Sequence, residues 1–183
     1  MKIKIITIIL LIGYFNVFGQ RENRTDNTEG LSFKERLFTG GNFGLQFGTI
    51  TNIEISPILG YRVTENFVFG IGATYICYSN SIYTPKYSTD IYGGRLFSRY
   101  YFFEKFFAHA ELETLNYEAV SIFHSNNYTL NRVWSNGVLL GGGYRQMLGE
   151  FSSINFTILW NFNEDIYSPY TNPIIRVGFD IGL

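Results

Sequence analysis

Asn172–Leu183 reads NPIIRVGFDIGL, and its alternation sets the reading of the whole chain. Ile175, Val177, Phe179, Ile181 and Leu183 share one parity, while Arg176, Gly178, Asp180 and Gly182 share the other. Successive side chains of a strand point to opposite faces, so this segment has one apolar face and one polar or side-chain-free face. It is expected to form a half-buried β-strand ending on an apolar residue.

The same alternation runs backwards through the chain to about Thr39. Expected strands cover Gly40–Thr49, Thr51–Arg62, Phe67–Tyr78, Asp90–Tyr101, Phe106–Ala119, Arg132–Gln146 and Phe151–Asn161 before the closing one. In the second, Ile53, Ile55, Leu59 and Tyr61 oppose Asn52, Glu54, Ser56 and Arg62, and Pro57, which lacks a donor, predicts a bulge or a local break in pairing. In the fifth, Ala108, Ala110 and Leu112 oppose His109, Glu111 and Glu113. No helix is needed after residue 19.

Composition agrees with an all-β chain. Aromatics make up 19% of the residues and charged residues only 16%, and 19 Gly and 14 Tyr favour strands and turns over helices. A net charge of −1 gives no footprint for nucleic acid. With 183 residues the chain suits one domain, and its single Cys, Cys77, excludes an intramolecular disulfide and any Cys-based zinc site. Cys77 is expected outward, as a packed and inert thiol.

Lys2 and Lys4 precede an apolar run from Ile5 to Phe18, too short to cross a bilayer as a helix and closed by Gly19. Residues 1–19 are therefore expected to be a secretory signal peptide. Residues 20–38, polar and mixed in charge, are expected to form a flexible periplasmic leader, and residues 39–183 the folded body.

Tight turns are expected near Glu65, Glu104 and Gly149, and long polar loops at Ser79–Thr89, His124–Asn131 and Phe162–Thr171. Short turns on one side and long loops on the other are the habit of outer-membrane barrels. Aromatics gather near both ends of the strands: Tyr61, Phe67, Tyr100, Phe102, Phe106, Tyr144 and Phe151 by the turns, and Tyr75, Tyr78, Tyr92, Tyr117, Trp134 and Trp160 by the loops. Two such bands fit two interfacial girdles.

The polar parity collects Glu54, Arg62, Arg95, Arg99, His109, Glu111, Glu113, Arg145, Arg176 and Asp180. Such groups are costly to bury singly but can pair with one another in a closed lumen. The expected fold is an all-β, eight-stranded antiparallel up-and-down transmembrane β-barrel whose interior side chains fill. Arg95 and Arg99 are expected to bind Glu111 and Glu113 on the neighbouring strand in bidentate geometry.

On these residues the span 39–183 resembles the small outer-membrane β-barrel proteins of Gram-negative bacteria, in the manner of the OmpA transmembrane domain and OmpX. Segments such as GYRVTENFVFG also resemble a barrel group common in Bacteroidetes. The last strand is similar to the C-terminal assembly signal of such barrels through Arg176, Gly178, Ile181 and Leu183, with Leu at the end where most members carry Phe. The resemblance implies an outer-membrane location and, as partners, outer-membrane lipid and the barrel-assembly machinery.

The expected function is that of a non-enzymatic, monomeric barrel that stabilises the membrane or binds a surface partner through its loops. Tyr83, Tyr87, Tyr128, Tyr167 and Tyr170 are the candidate contacts. No cofactor or metal is expected, since His109 and His124 are the only histidines. Two alternatives stay open. His124-Ser125-Asn126 resembles the His-x-Ser-Asn motif of outer-membrane lipid A deacylases with the intervening residue missing, which would turn base and nucleophile to opposite faces of a strand. A lipocalin-like soluble carrier would instead put the apolar face inward around a ligand.

Overall fold

The computed structural model describes residues 32–46, 50–80, 87–123, 127–163 and 168–183. The proposed signal peptide and the leader up to residue 31 lie outside these residues. So do Tyr83, His124, Ser125 and Tyr167.

Eight strands follow one another in chain order: β1 (Leu37–Gln46), β2 (Ile50–Arg62), β3 (Phe67–Asn80), β4 (Tyr87–Phe102), β5 (Phe106–Phe123), β6 (Asn127–Met147), β7 (Ser152–Asn161) and β8 (Ile174–Gly182). Each is antiparallel to its neighbours, and the sheet closes into a barrel. The seam joins Phe38–Phe43 of β1 to Val177–Gly182 of β8, with Gly40 facing Asp180. Closure leaves the paired wall without a sheet edge. The period-2 alternation of the closing strand is what lets it serve both neighbours while keeping Arg176 and Asp180 inside and Ile175 and Phe179 outside.

Several boundaries depart from expectation. β1 starts at Leu37, so Leu37 and Phe38, expected to precede the folded body, belong to the barrel wall; Phe38 is buried in the interior because its parity points there. Just before it, residues 33–36 form a turn in which the Leu37 amide donates to the Lys34 carbonyl at 3.0 Å. At Pro57 the expected local break in pairing is found, without a bulge. Pairing of β2 with β3 lapses between Ile55–Tyr75 and Ile58–Gly72 and resumes in the same register, as a missing donor requires.

The turn end of the barrel is tight, as expected. Phe103 and Glu104 take left-handed φ values of 53° and 60° to reverse the chain between β4 and β5. The loop end differs. β5 and β6 continue as a paired ladder to Phe123 and Asn127, and β4 begins at Tyr87, so much of the expected polar loops is strand. Tyr87 and Tyr128 are strand residues as a result.

Candidate functional site

The interior divides into apolar and polar zones. Toward the turns Phe38, Ile58, Val68, Phe97, Tyr101 and Phe107 form one buried cluster. Toward the loops Ile76, Ile91, Leu115, Tyr117 and Ala119 form another, with Tyr78, Val133 and Tyr170 packed on it, and Leu139, Leu159 and Ile174 form a third beside it. Tyr78 and Tyr117, expected in the outer girdle, are thus interior residues: their parity is that of Ile76 and Leu115. Between these clusters lie Glu54, Arg95, Arg99, His109, Glu111, Glu113, Arg176 and Asp180, all buried.

Arg176 is the hub. Its Nη1 lies 2.7 Å from Glu111 Oε1, its Nε 3.1 Å from Glu54 Oε1, and its Nη2 3.8 Å from Glu113 Oε2. The planar guanidinium therefore faces three carboxylates delivered by β2 and β5 from across the lumen. Ser56 Oγ donates to Glu54 at 2.7 Å, and Thr74 Oγ1 donates to Glu113 at 2.6 Å. Tyr170, from the β7–β8 connection, reaches down into the same cluster. Its hydroxyl donates to Glu113 Oε2 at 2.7 Å and accepts from Arg176 Nη2 at 3.2 Å. Tyr170 is accordingly an interior ligand of the charge network, and the expectation of a surface contact is corrected.

The expected pairing of neighbouring strands occurs only in part and is not bidentate. Arg95 faces Glu113 in the β4–β5 register, but its Nη1 pairs with Glu111 of β5 at 3.7 Å and equally with Glu54 of β2, and its hydrogen bond goes from Nη2 to the Ser56 carbonyl at 3.1 Å. Arg99 reaches beyond its own hairpin to Asp180, Nη1 to Oδ2 at 2.7 Å. Inside a narrow closed barrel a long side chain meets opposite strands as readily as adjacent ones, so register pairs do not dictate ion pairs.

Arg99 is also held by rings, its guanidinium lying 5.0 Å from the Phe97 centroid and 5.4 Å from that of Phe107. Its Nε donates to His109 Nδ1 at 3.4 Å, which needs the lone pair there, so the ring proton sits on Nε2 and is donated to Glu111 Oε2 at 3.1 Å. His109 stacks on Phe97 with 4° between the rings. Asn155, not singled out from the sequence, donates from Nδ2 to Asp180 Oδ2 at 2.8 Å.

Two expected members stand apart. Arg145 lies at the turn end, 4.2 Å above the Tyr101 ring, with Nη2 donating to the Glu104 carbonyl at 3.0 Å, and Arg62 is half-buried at the same end. Of the closing-strand residues, Arg176 and Gly178 face inward, whereas Ile181 and Leu183 are exposed outward. Among the described residues, no group of three or more His, Cys, Asp and Glu is placed to hold a metal ion.

The outer wall carries the large apolar side chains. Phe43, Ile55, Leu59, Phe69, Ile71, Leu96, Leu112, Phe156, Ile158, Ile175, Val177 and Phe179 are all exposed. Tyr100, Phe102, Phe106 and Phe151 stand exposed toward the turns, and Tyr75, Tyr92, Trp134 and Trp160 toward the loops. Cys77 shares this outward face and is exposed, opposite Ile53 and Asp90, so it is not packed away.

Charges within and apolar side chains without define a closed antiparallel barrel of inverted sidedness, and the lipocalin-like alternative, which needs the opposite arrangement, fails. Solved structures of similar fold include the N-terminal β-barrel domain of Pseudomonas aeruginosa OprF, at 9% identity and a TM-score of 0.47, covering 80% of this chain and 96% of that one. Neisserial surface protein A is similar at 13% identity and a TM-score of 0.46, covering 80% and 94%. The Yersinia pestis outer membrane protein Ail, solved in a phospholipid bilayer nanodisc, is similar at 8% identity and a TM-score of 0.47, covering 79% and 97%. No protein-family model matches the sequence, and no curated protein does.

Proposed function

We propose that this chain is an outer-membrane-spanning β-barrel, closed to solutes, whose interior network holds the wall rigid while its loop-side hairpins face the outside. The observation that carries the reading is the sidedness of the wall. Thirteen-residue β2 alone alternates Ile55 and Leu59, exposed, with Glu54 and Ser56, buried. Exposing such a continuous apolar belt to water would cost roughly 25 cal/mol for each Å². A hydrocarbon surround removes that cost, and closure pairs the backbone of the wall strand to strand, the lapse beside Pro57 apart.

The closed lumen is supported by the same interior: among the described residues, apolar clusters lie toward both ends with paired charges between them. The reading assigns no catalysis to His109, since its two ring nitrogens are engaged by Arg99 and Glu111 and Phe97 and Phe107 wall it in. Secretion by a signal peptide over residues 1–19, a periplasmic leader, assembly through the Arg176-to-Leu183 strand and a monomeric state belong to the same proposal.

The test is to refold the chain from Gln20 in detergent, compare its gel mobility before and after boiling, and record conductance in planar bilayers. A heat-dependent shift with no channel currents is expected. Solubility without detergent would refute the membrane reading, and steady currents would refute the closed lumen.

A further inference from the structure

The outer wall carries a feature that an even lipid-facing surface does not need. Reading across the strands, Ala73 faces Gly94, Gly94 faces Thr114 and Thr114 faces Asn136. This row of small and polar residues lies between an aliphatic row, Ile71, Leu96, Leu112 and Val138, and a taller one containing Tyr75, Tyr92 and Trp134. The result is a groove of about 600 Å³ running laterally beneath the loop-side aromatics and reaching Ile55 and Pro57. Its volume is in the range of small-molecule sites.

Thr114, which lines the groove, donates from Oγ1 to Asn136 Oδ1 at 2.9 Å. Asn136 stands beside the lining, opposite Thr114 on the neighbouring strand, and keeps its amide N–H groups for an acceptor from outside. Directly above the aromatics is a row of mixed charge. Tyr75 Oη donates to Asp90 Oδ1 at 3.1 Å, and Arg132 Nη1 donates to Tyr92 Oη at 2.7 Å with its guanidinium 4.7 Å from that ring. Glu118 faces Arg132 in register. Asp90 and Arg132 are both exposed.

We infer that this surface is a binding site for one zwitterionic phospholipid. An acyl chain lies in the trough over Ala73 and Gly94, an ester carbonyl accepts from Asn136, the phosphate meets Arg132, and the ammonium meets Asp90. Carboxylates beside the single arginine suit a headgroup of both signs and disfavour a polyanionic one. The inference rests on the membrane reading proposed above.

Gly94 allows a direct test, because a Cβ there would meet only the Gly72 carbonyl oxygen, at 3.7 Å. The barrel is reconstituted in vesicles of equal parts phosphatidylethanolamine and phosphatidylglycerol, extracted in mild detergent and weighed by native mass spectrometry. Wild type is expected to retain one phosphatidylethanolamine. Gly94→Phe should lose it, and Asn136→Leu should lower its occupancy about fivefold, the worth of one hydrogen bond.

Unchanged retention in both variants, equal retention of phosphatidylglycerol, displacement by added lipopolysaccharide, or a doubled protein mass released by Gly94→Phe would each overturn the site. Heat-shifted mobility confirms that each variant is folded; should Gly94→Phe not fold, Ala73→Phe fills the same groove and Asn136→Leu still reads the polar contact beside it. A wild-type chain that never enters vesicles refutes the membrane reading and this site with it. Normal insertion without selective lipid retention refutes this site alone.

Discussion

Replacing Arg176 with Met tests the interior network at its hub. The guanidinium stands 3.1 Å from Glu54, 2.7 Å from Glu111 and 3.8 Å from Glu113, and it also donates to the Tyr170 hydroxyl at 3.2 Å. Methionine keeps much of the stem but removes the cation, leaving those carboxylates with Arg95, whose Nη1 is no nearer than 3.7 Å to Glu54 or Glu111. Stranding one partner of a buried ion pair costs roughly 3–5 kcal/mol, and with three carboxylates affected the loss should lie near the upper figure, about 5 kcal/mol. Urea unfolding in phospholipid vesicles, followed by tryptophan fluorescence, measures it. Adding Glu111→Gln to Arg176→Met should recover about 1–2 kcal/mol, since the amide removes one stranded charge and still accepts from His109. A loss below about 1 kcal/mol for Arg176→Met, the range of an exposed pair, would refute the claim that this cluster holds the barrel together.

Three further outcomes are expected. Gly70 faces inward beside the Phe97 ring, with the Leu59 carbonyl oxygen 2.7 Å from where a Cβ would stand, so Gly70→Val should cost about 2–3 kcal/mol in the same unfolding assay. Glu104→Gly should stabilise by about 1 kcal/mol, because its φ of 60° suits glycine better than any residue with a Cβ; the shift in urea midpoint checks it. Burial first, then the charges of Glu113 and Glu54, raises the Tyr170 phenol well above its ordinary value, against an opposing effect of Arg176. The folded chain then keeps a proton that the unfolded chain loses above about pH 10, so stability present at neutral pH falls as pH rises past that point. Tyr170→Phe should flatten that decline in a pH series of unfolding curves.

Period 2 made the wall legible from sequence. The parity of each strand is a local property, and closure into a barrel enforces it everywhere, so the sequence alone places Glu54, Arg95, Arg99, His109, Glu111, Glu113, Arg176 and Asp180 inside. Of the expected partners within the lumen only Arg95 and Glu111 meet, at 3.7 Å; the rest are not legible in the sequence. Arg99 reaches Asp180, 81 residues away, and Arg176 reaches Glu111, 65 away, because strand tilt and the narrow bore decide which opposite side chains meet. Tyr170 was misplaced for a related reason: a loop residue has no parity, and its inward turn depends on a bracket of side-chain bonds. Asn172 accepts from the Asn161 amide at 2.8 Å and donates back to its carbonyl at 3.1 Å, and Asn161 donates to Ser168 at 3.2 Å. Residue type points Tyr78 and Tyr117 to a girdle, whereas their parity puts them inside.

The most direct measurement uses the only two tryptophans, Trp134 and Trp160, which are 63% and 49% exposed on the outer wall. Refolded into vesicles whose acyl chains carry bromine, the barrel should lose most of its tryptophan emission relative to unbrominated vesicles, because both indoles touch lipid. Emission unchanged by brominated chains in a folded, heat-shifted protein would contradict a lipid-facing wall.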